Sequence, residues 1–227
     1  MQALPSSANA DAAAAKVPLR MMPLGASLTA GYLSTGHNGF RQDLRNMLTS
    51  DGFSIDMVGS RKEGTMQDND NEGWSGFRIA EIHDRATRSV PGLQPNIFTV
   101  NAGTNDAKQN YQLSSGGERL DKMLEDLWTM SPNSTIILSS LIINLKATAD
   151  ANAVTLNKQF RAVAQQKIAQ NKRLVYVDFH GPDGPQKKDM ADDTHPGDVG
   201  YNKLAKILFR GVKEAESKGF LVAPNKA

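Results

Sequence analysis

Three observations predict a three-layer α/β/α fold around a five-stranded parallel sheet. Five short apolar runs punctuate the chain, a segment with helical spacing follows each run, and the runs show no polar alternation. Strands of that kind are buried on both faces. Alternating with helices, they imply a parallel sheet crossed over right-handedly and covered on both sides. A chain of 227 residues can form one compact domain with a proper core. Met1 to Lys16 is small and polar with an alanine run, so the expected organisation is a flexible arm over residues 1–16 and a single domain over 17–227.

The elements follow in order. Leu19 to Leu24 is the first strand, and its small-residue continuation Gly25-Ala26-Ser27 places Ser27 at a strand-to-helix turn. Gly39 to Ser50 is a helix with Phe40, Leu44, Met47 and Leu48 on one face, ended by Asp51-Gly52. Ile55 to Val58 is the second strand. The polar stretch Gly59 to Gly76 reads as a loop; its acidic run from Asp68 to Glu72 lacks the glycine and distal glutamate of a calcium loop. A helix over Arg78 to Ala86 leads to the third strand, Ile97 to Val100. Glu118 to Met130 carries Leu120, Met123, Leu124 and Leu127 at helical spacing, and Pro132-Asn133 breaks it. Thr135 to Leu141, Ala151 to Asn171, Leu174 to Asp178 and Gly200 to Lys218 complete the alternation as strand, helix, strand and helix.

Composition narrows the function classes. With 26 Lys and Arg against 24 Asp and Glu, the formal net charge is only +2, and no basic run supports nucleic-acid binding. No apolar run has the length of a membrane span, so no membrane partner is expected. The absence of cysteine excludes thiol nucleophiles and zinc-thiolate sites.

Ligands of open parallel sheets bind at the carboxyl ends of strands. Four segments there carry reactive groups: Ser27 after the first strand, Gly73-Trp74-Ser75-Gly76 after the second, Gly103-Thr104-Asn105-Asp106 after the third, and Asp192-Asp193-Thr194-His195-Pro196 before the last helix. A serine nucleophile needs a base, the base needs an orienting acceptor, and the oxyanion needs donors. Of the four histidines, His195 alone combines a carboxylate three residues earlier with a place beside the last helix. Asp192 and its neighbour Asp193 compete as orienter, Asn105 offers a side-chain amide, and Gly76 offers a backbone N–H.

In this order the four blocks resemble the SGNH hydrolases, the GDSL-type esterase and lipase superfamily, from Leu19 to about Phe220. The resemblance implies a flavodoxin-like strand order 2-1-3-4-5 and a metal-free serine esterase without cofactor. Ser27 is then the nucleophile, His195 the base and Asp192 its orienter. The oxyanion donors are Ser27 N–H, Gly76 N–H and Asn105, with Gly73 the alternative to Gly76. Ala26 stands where the family usually has aspartate, a change that removes a loop-ordering hydrogen bond but no triad member. Met22-Pro23-Leu24-Gly25, Asn38-Gly39-Phe40-Arg41 and Glu72 to Gly76 are most similar to carbohydrate esterases of the acetyl xylan esterase kind. That implies an O-acetyl ester of plant polysaccharide, or a small ester, as substrate, with Trp74 and Tyr111 stacking on sugar. The alternatives are a short-chain esterase, lysophospholipase or thioesterase, and a catalytically weak carbohydrate-binding domain. A secreted monomer is expected, with the cytoplasm as the other compartment.

Overall fold

Sequence alternation becomes layers in the computed structural model, which describes residues 16–225. Residues 1–15 of the expected arm lie outside the described part. Lys16 does not extend that arm: its ammonium pairs with Asp51 and, at 3.2 Å, with Glu216.

The strands are β1 (Leu19–Gly25), β2 (Ile55–Met57), β3 (Arg61–Lys62), β4 (Asp70–Gly73), β5 (Ile97–Asn101), β6 (Thr135–Ser139) and β7 (Leu174–Val177). The helices are α1 (Ser27–Ala30), α2 (Gly39–Ser50), α3 (Ile79–Leu93), α4 (Thr104–Lys108), α5 (Gly116–Met130), α6 (Ala147–Ala169) and α7 (Asp198–Ser217). Period-two alternation sorts the central strands onto two cores. Met22, Leu24, Phe98, Val100, Ile136 and Leu138 face α3, α5 and α6. Met21, Ile97, Ile137 and Val175 face α2 and α7. Each fully buried Leu or Phe in these clusters contributes about 1.5–3 kcal/mol.

Among the described residues seven strands, not five, form the sheet, in the order β3-β4-β1-β5-β6-β7 with β2 also paired to β1. The expected five-stranded, all-parallel sheet of order 2-1-3-4-5 is corrected to a wider, mixed one, because β4 also pairs with β1 and carries the antiparallel β3. β2 pairs the first half of β1, from Leu19↔Ile55 to Met21↔Met57, and β4 pairs its end at Leu24↔Glu72 and Gly25↔Gly73, both parallel. β3 runs antiparallel to β4. Composition hid β4: Asp70-Asn71-Glu72-Gly73 has poor β propensity. Its buried Glu72 is stabilised by Ser60 N–H and Oγ–H at 2.8 Å and by Trp74 Nε1–H at 2.7 Å.

Two polar residues tie separate segments together. Asn96 accepts Arg20 N–H (2.7 Å) and donates to the carbonyls of Pro18 (2.9 Å) and Val222 (2.6 Å), clamping the first and last described segments at the amino side of the sheet. Arg41 on α2 is fully buried, and its guanidinium donates to the carbonyls of Ala30, His37, Glu63 and Asn69 at 2.8–3.1 Å. Burial pushes its pKa down to about 10. Four carbonyls accept from its two terminal nitrogens in place of a carboxylate, while its Nε is buried without a partner among the described residues.

Candidate active site

β1 ends against β5 so closely that a Cβ on Gly25 would lie 2.3 Å from the Asn101 carbonyl oxygen; only glycine fits this step into α1. Ser27 is therefore the first residue of α1, 7% exposed, and its N–H has not yet entered a helical hydrogen bond. Its Oγ lies 2.8 Å from His195 Nε2.

His195 lies in the loop before α7, and the turn 189–197 shapes that loop. Ala191 N–H donates to the His195 carbonyl (2.8 Å) and Gly197 N–H to that of Asp189 (2.8 Å). Inside this turn Asp192 folds back on the imidazole. Its Oδ1 and Oδ2 are 3.0 and 2.9 Å from Nδ1, and Oδ1 also accepts the N–H groups of Thr194 (2.7 Å) and His195 (2.6 Å). Burial raises the Asp192 carboxyl pKa, but the hydrogen bonds from the imidazole and the two N–H groups outweigh it and hold the carboxyl below its ordinary range. With Nδ1 held there, Nε2 is free to take the serine proton. Asp193 turns away, its carboxylate 3.6 Å from the Lys146 ammonium and its carbonyl on Leu145 N–H. Asp192 is thus the carboxylate that meets the imidazole.

Asn105, the second residue of α4, is buried, and one of its amide hydrogens points to the Phe77 carbonyl at 2.9 Å. That bond fixes the amide orientation and leaves the second hydrogen for a ligand. Asp106, fully buried, supports the arrangement from behind. It accepts Ile79 N–H (3.0 Å) and Arg119 (2.9 Å), tying the start of α3 to α4, and burial raises its pKa despite both bonds.

The structure separates the two candidate glycines. Gly73 ends β4 directly against α1, where a Cβ would sit 2.5 Å from Ala30 N; its own N–H rests on Asn71 Oδ1 at 2.9 Å. Gly76 stands on an exposed turn with φ +84° and open space around it. Of the two, Gly73 is the one seated against the helix that carries Ser27.

Neither aromatic expected to stack on sugar presents a bare ring. Trp74 carries the Arg61 and Arg85 guanidinium groups at 4.6 and 4.3 Å and stacks on Phe77, and Tyr111 lies under Arg78 at 4.1 Å. Arginines from other elements stack on both rings. The aromatic at His195 is Tyr32, edge-on to the imidazole at 4.7 Å and 44% exposed. Its only signal in the sequence is its place one residue after Gly31.

Residues 24–203 match the model of the GDSL-like Lipase/Acylhydrolase family. The chain belongs to this family. A family 3 carbohydrate esterase from Clostridium thermocellum shares the fold at TM-score 0.79 and 25% identity, covering 88% of this chain and 98% of that one. Membership in an acylhydrolase family, with a carbohydrate esterase neighbour of equal extent, makes the chain a carboxylic ester hydrolase. A family 3 carbohydrate esterase from Talaromyces cellulolyticus has the same fold at TM-score 0.76 and 22% identity, over 88% of this chain and 99% of that one. An acetylxylan esterase from Geobacillus stearothermophilus does so at TM-score 0.67 and 16% identity, over 87% and 95%. A multidomain esterase of Ruminococcus flavefaciens is 26% identical over 92% of this chain, which spans 30% of that protein's length. No described helix is long and apolar enough to cross a membrane.

Proposed function

We propose that this esterase removes O-acetyl groups from plant polysaccharide such as acetylated xylan, acting outside the cell. The observation that carries the chemistry is the line Ser27 Oγ, His195 Nε2, His195 Nδ1, Asp192, with contacts of 2.8 Å and 2.9 Å. As Ser27 Oγ attacks the ester carbonyl carbon, His195 takes its proton and Asp192 stabilises the resulting imidazolium. The oxyanion is held by Ser27 N–H and the free amide hydrogen of Asn105. Gly73 replaces Gly76 as the third donor in this reading, since it is seated against α1 whereas Gly76 stands on an exposed turn; its N–H would exchange Asn71 Oδ1 for the oxyanion. Collapse expels the sugar hydroxyl, protonated by His195, and water deprotonated by the same residue releases acetate from the acyl-enzyme.

The similarity to carbohydrate esterases supports the polysaccharide.

The test is acetate release from acetylated xylan beside hydrolysis of nitrophenyl acetate and nitrophenyl octanoate, with Ser27→Ala throughout. The expected result is Ser27-dependent release from xylan and at least tenfold preference for acetate over octanoate. A preference for octanoate would move the assignment to a lipase-like esterase, and sugar binding with no Ser27-dependent turnover would favour a binding domain.

A further inference from the structure

The segment from Gly31 to Gly39 leads from α1 to α2 with an unusual backbone: Leu33 and His37 join three glycines at φ between +54° and +85°. Side chains cost energy in that region, and such conformations persist only where their surroundings dictate them. Here the surroundings do. Asp198, the first residue of α7, accepts Thr35 N–H and Oγ–H at 2.8 and 2.7 Å. Tyr201 Oη–H donates to the Tyr32 carbonyl at 2.7 Å, and Ser34 Oγ bridges the Gly31 carbonyl and Gly39 N–H. Arg41 holds the His37 carbonyl from below at 2.8 Å.

The wall fixed in this way bounds a cleft of about 340 Å³ between the starts of α2 and α7. Two residues of its lining connect it to the His195 loop. Asp198 lies three residues past His195, and Tyr201 in the cleft wall is bonded to Tyr32, whose ring packs on the imidazole. The cleft lining includes Thr35, Gln42, Asp43, Thr65 and Asp198, with no lysine or arginine. Two carboxylates without a cation repel anionic ligands, and a lining so rich in hydroxyl, amide and carboxylate groups gives an apolar acyl chain little to bury against. Neutral ligands dense in hydroxyl groups match that surface: Asp43 Oδ1 is left to accept and the Thr65 hydroxyl and Gln42 amide to donate, while both Asp198 oxygens, Asp43 Oδ2 and Gln42 Oε1 already take Thr35, Asn202 and Asn38.

We infer that this cleft is a sugar subsite, which holds a neutral backbone residue of the glycan next to the one whose acetyl group reaches Ser27. The choice of ligand rests on the polysaccharide reading above; the site itself rests on its geometry. Tyr32 then links the subsite wall to His195, through its carbonyl on Tyr201 and its ring on the imidazole. Because the wall is preformed, the subsite adds affinity for an oligosaccharide without changing the chemical step.

Binding of unacetylated xylohexaose to the Ser27→Ala protein, followed by amide NMR shifts, tests the subsite independently of turnover. Shifts at Thr35, Gln42 and Thr65 are expected, together with at least fivefold weaker binding in the Ser27→Ala protein that also carries Gln42→Leu and Asp43→Leu. In the catalytic background the same two changes should raise KM for acetylated xylo-oligosaccharide by a similar factor and leave nitrophenyl acetate hydrolysis and kcat unchanged. Gln42 is an exposed helix residue, so Gln42→Leu alone serves as the variant that keeps the fold, with a smaller effect in the same direction. No shifts at those residues, or shifts confined to the surroundings of His195, would overturn the subsite whatever the esterase assays give. Loss of acetate release from xylan with the shifts intact would count against the polysaccharide reading alone.

Discussion

Two histidine–aspartate pairs stand near the carboxyl ends of the strands, and only one of them has a nucleophile. His195 is buried, holds Asp192 through Nδ1 and meets Ser27 through Nε2. His180, just past β7, turns its Nε2 to Asp150 at 3.2 Å; its side chain is 28% exposed, and that carboxylate also accepts Asn144 N–H. The residue types are the same in both places, and so is the contact between them. What differs is which ring nitrogen the carboxylate takes and what lies at the other one. In the first pair the three-residue step inside a turn forces the carboxylate onto Nδ1 and leaves Nε2 aimed at α1. In the second the two residues come from separate elements, 30 positions apart, and Nε2 is already engaged. The proposed triad therefore depends on chain geometry around the imidazole as much as on its composition.

The sharpest way to break this contrast is to remove each imidazole. His195→Ala should lower kcat/KM for nitrophenyl acetate by at least about 10³-fold, whereas His180→Ala should stay within about twofold. Comparable losses in both would place the base elsewhere. A smaller but still large difference is expected between the carboxylates. Asp192→Asn should cost about 10²–10⁴-fold in kcat by favouring the wrong imidazole tautomer, and Asp150→Asn should leave kcat within about twofold. Stability separates wild type from Asp192→Asn less strongly. The Asp192 carboxyl is held below its ordinary value, so its stabilising bonds are fully present above the unfolded aspartate pKa of about 3.9 and are lost as pH falls through the lower folded value. The urea midpoint of wild type should accordingly exceed that of Asp192→Asn by a steady margin from pH 5 to 7, and the margin should close towards pH 3. A margin that widens on acidification would contradict that sign.

The sequence was informative where chemistry is local. The step from Asp192 to His195 and the glycine before Ser27 are short-range features, and the strands end where the reactive blocks begin. Asp192 and Asp193 could not be told apart, because the choice rests on Lys146 and Leu145, which approach Asp193 from outside the turn. The stacking on Trp74 and Tyr111 was hidden for the same reason. Their rings are covered by Arg61, Arg85 and Arg78, and nothing near Trp74 in the chain announces that Arg61 and Arg85 will fold over it. Tyr32 was missed because its position follows from a backbone path imposed by Asp198 and Tyr201, more than 160 residues later. Helix ends drifted by a few residues: α6 begins at Ala147 rather than Ala151, and α3 runs on through Pro91 to Leu93. A proline in the last turn loses only one helical bond, so it did not stop the helix.

The Asn96 clamp has a practical corollary for handling the enzyme. By gripping Pro18 and Val222 with one side chain, it brings the two described ends of the chain together at the amino side of the sheet, with the whole thickness of the strands between them and Ser27. A surface tether or a fused partner attached beside Pro18 or Val222 would point away from the cleft, so an immobilised preparation should present its working face to a bulky polymer. The same proximity makes the two ends natural points to join in a circular permutant reopened at an exposed loop.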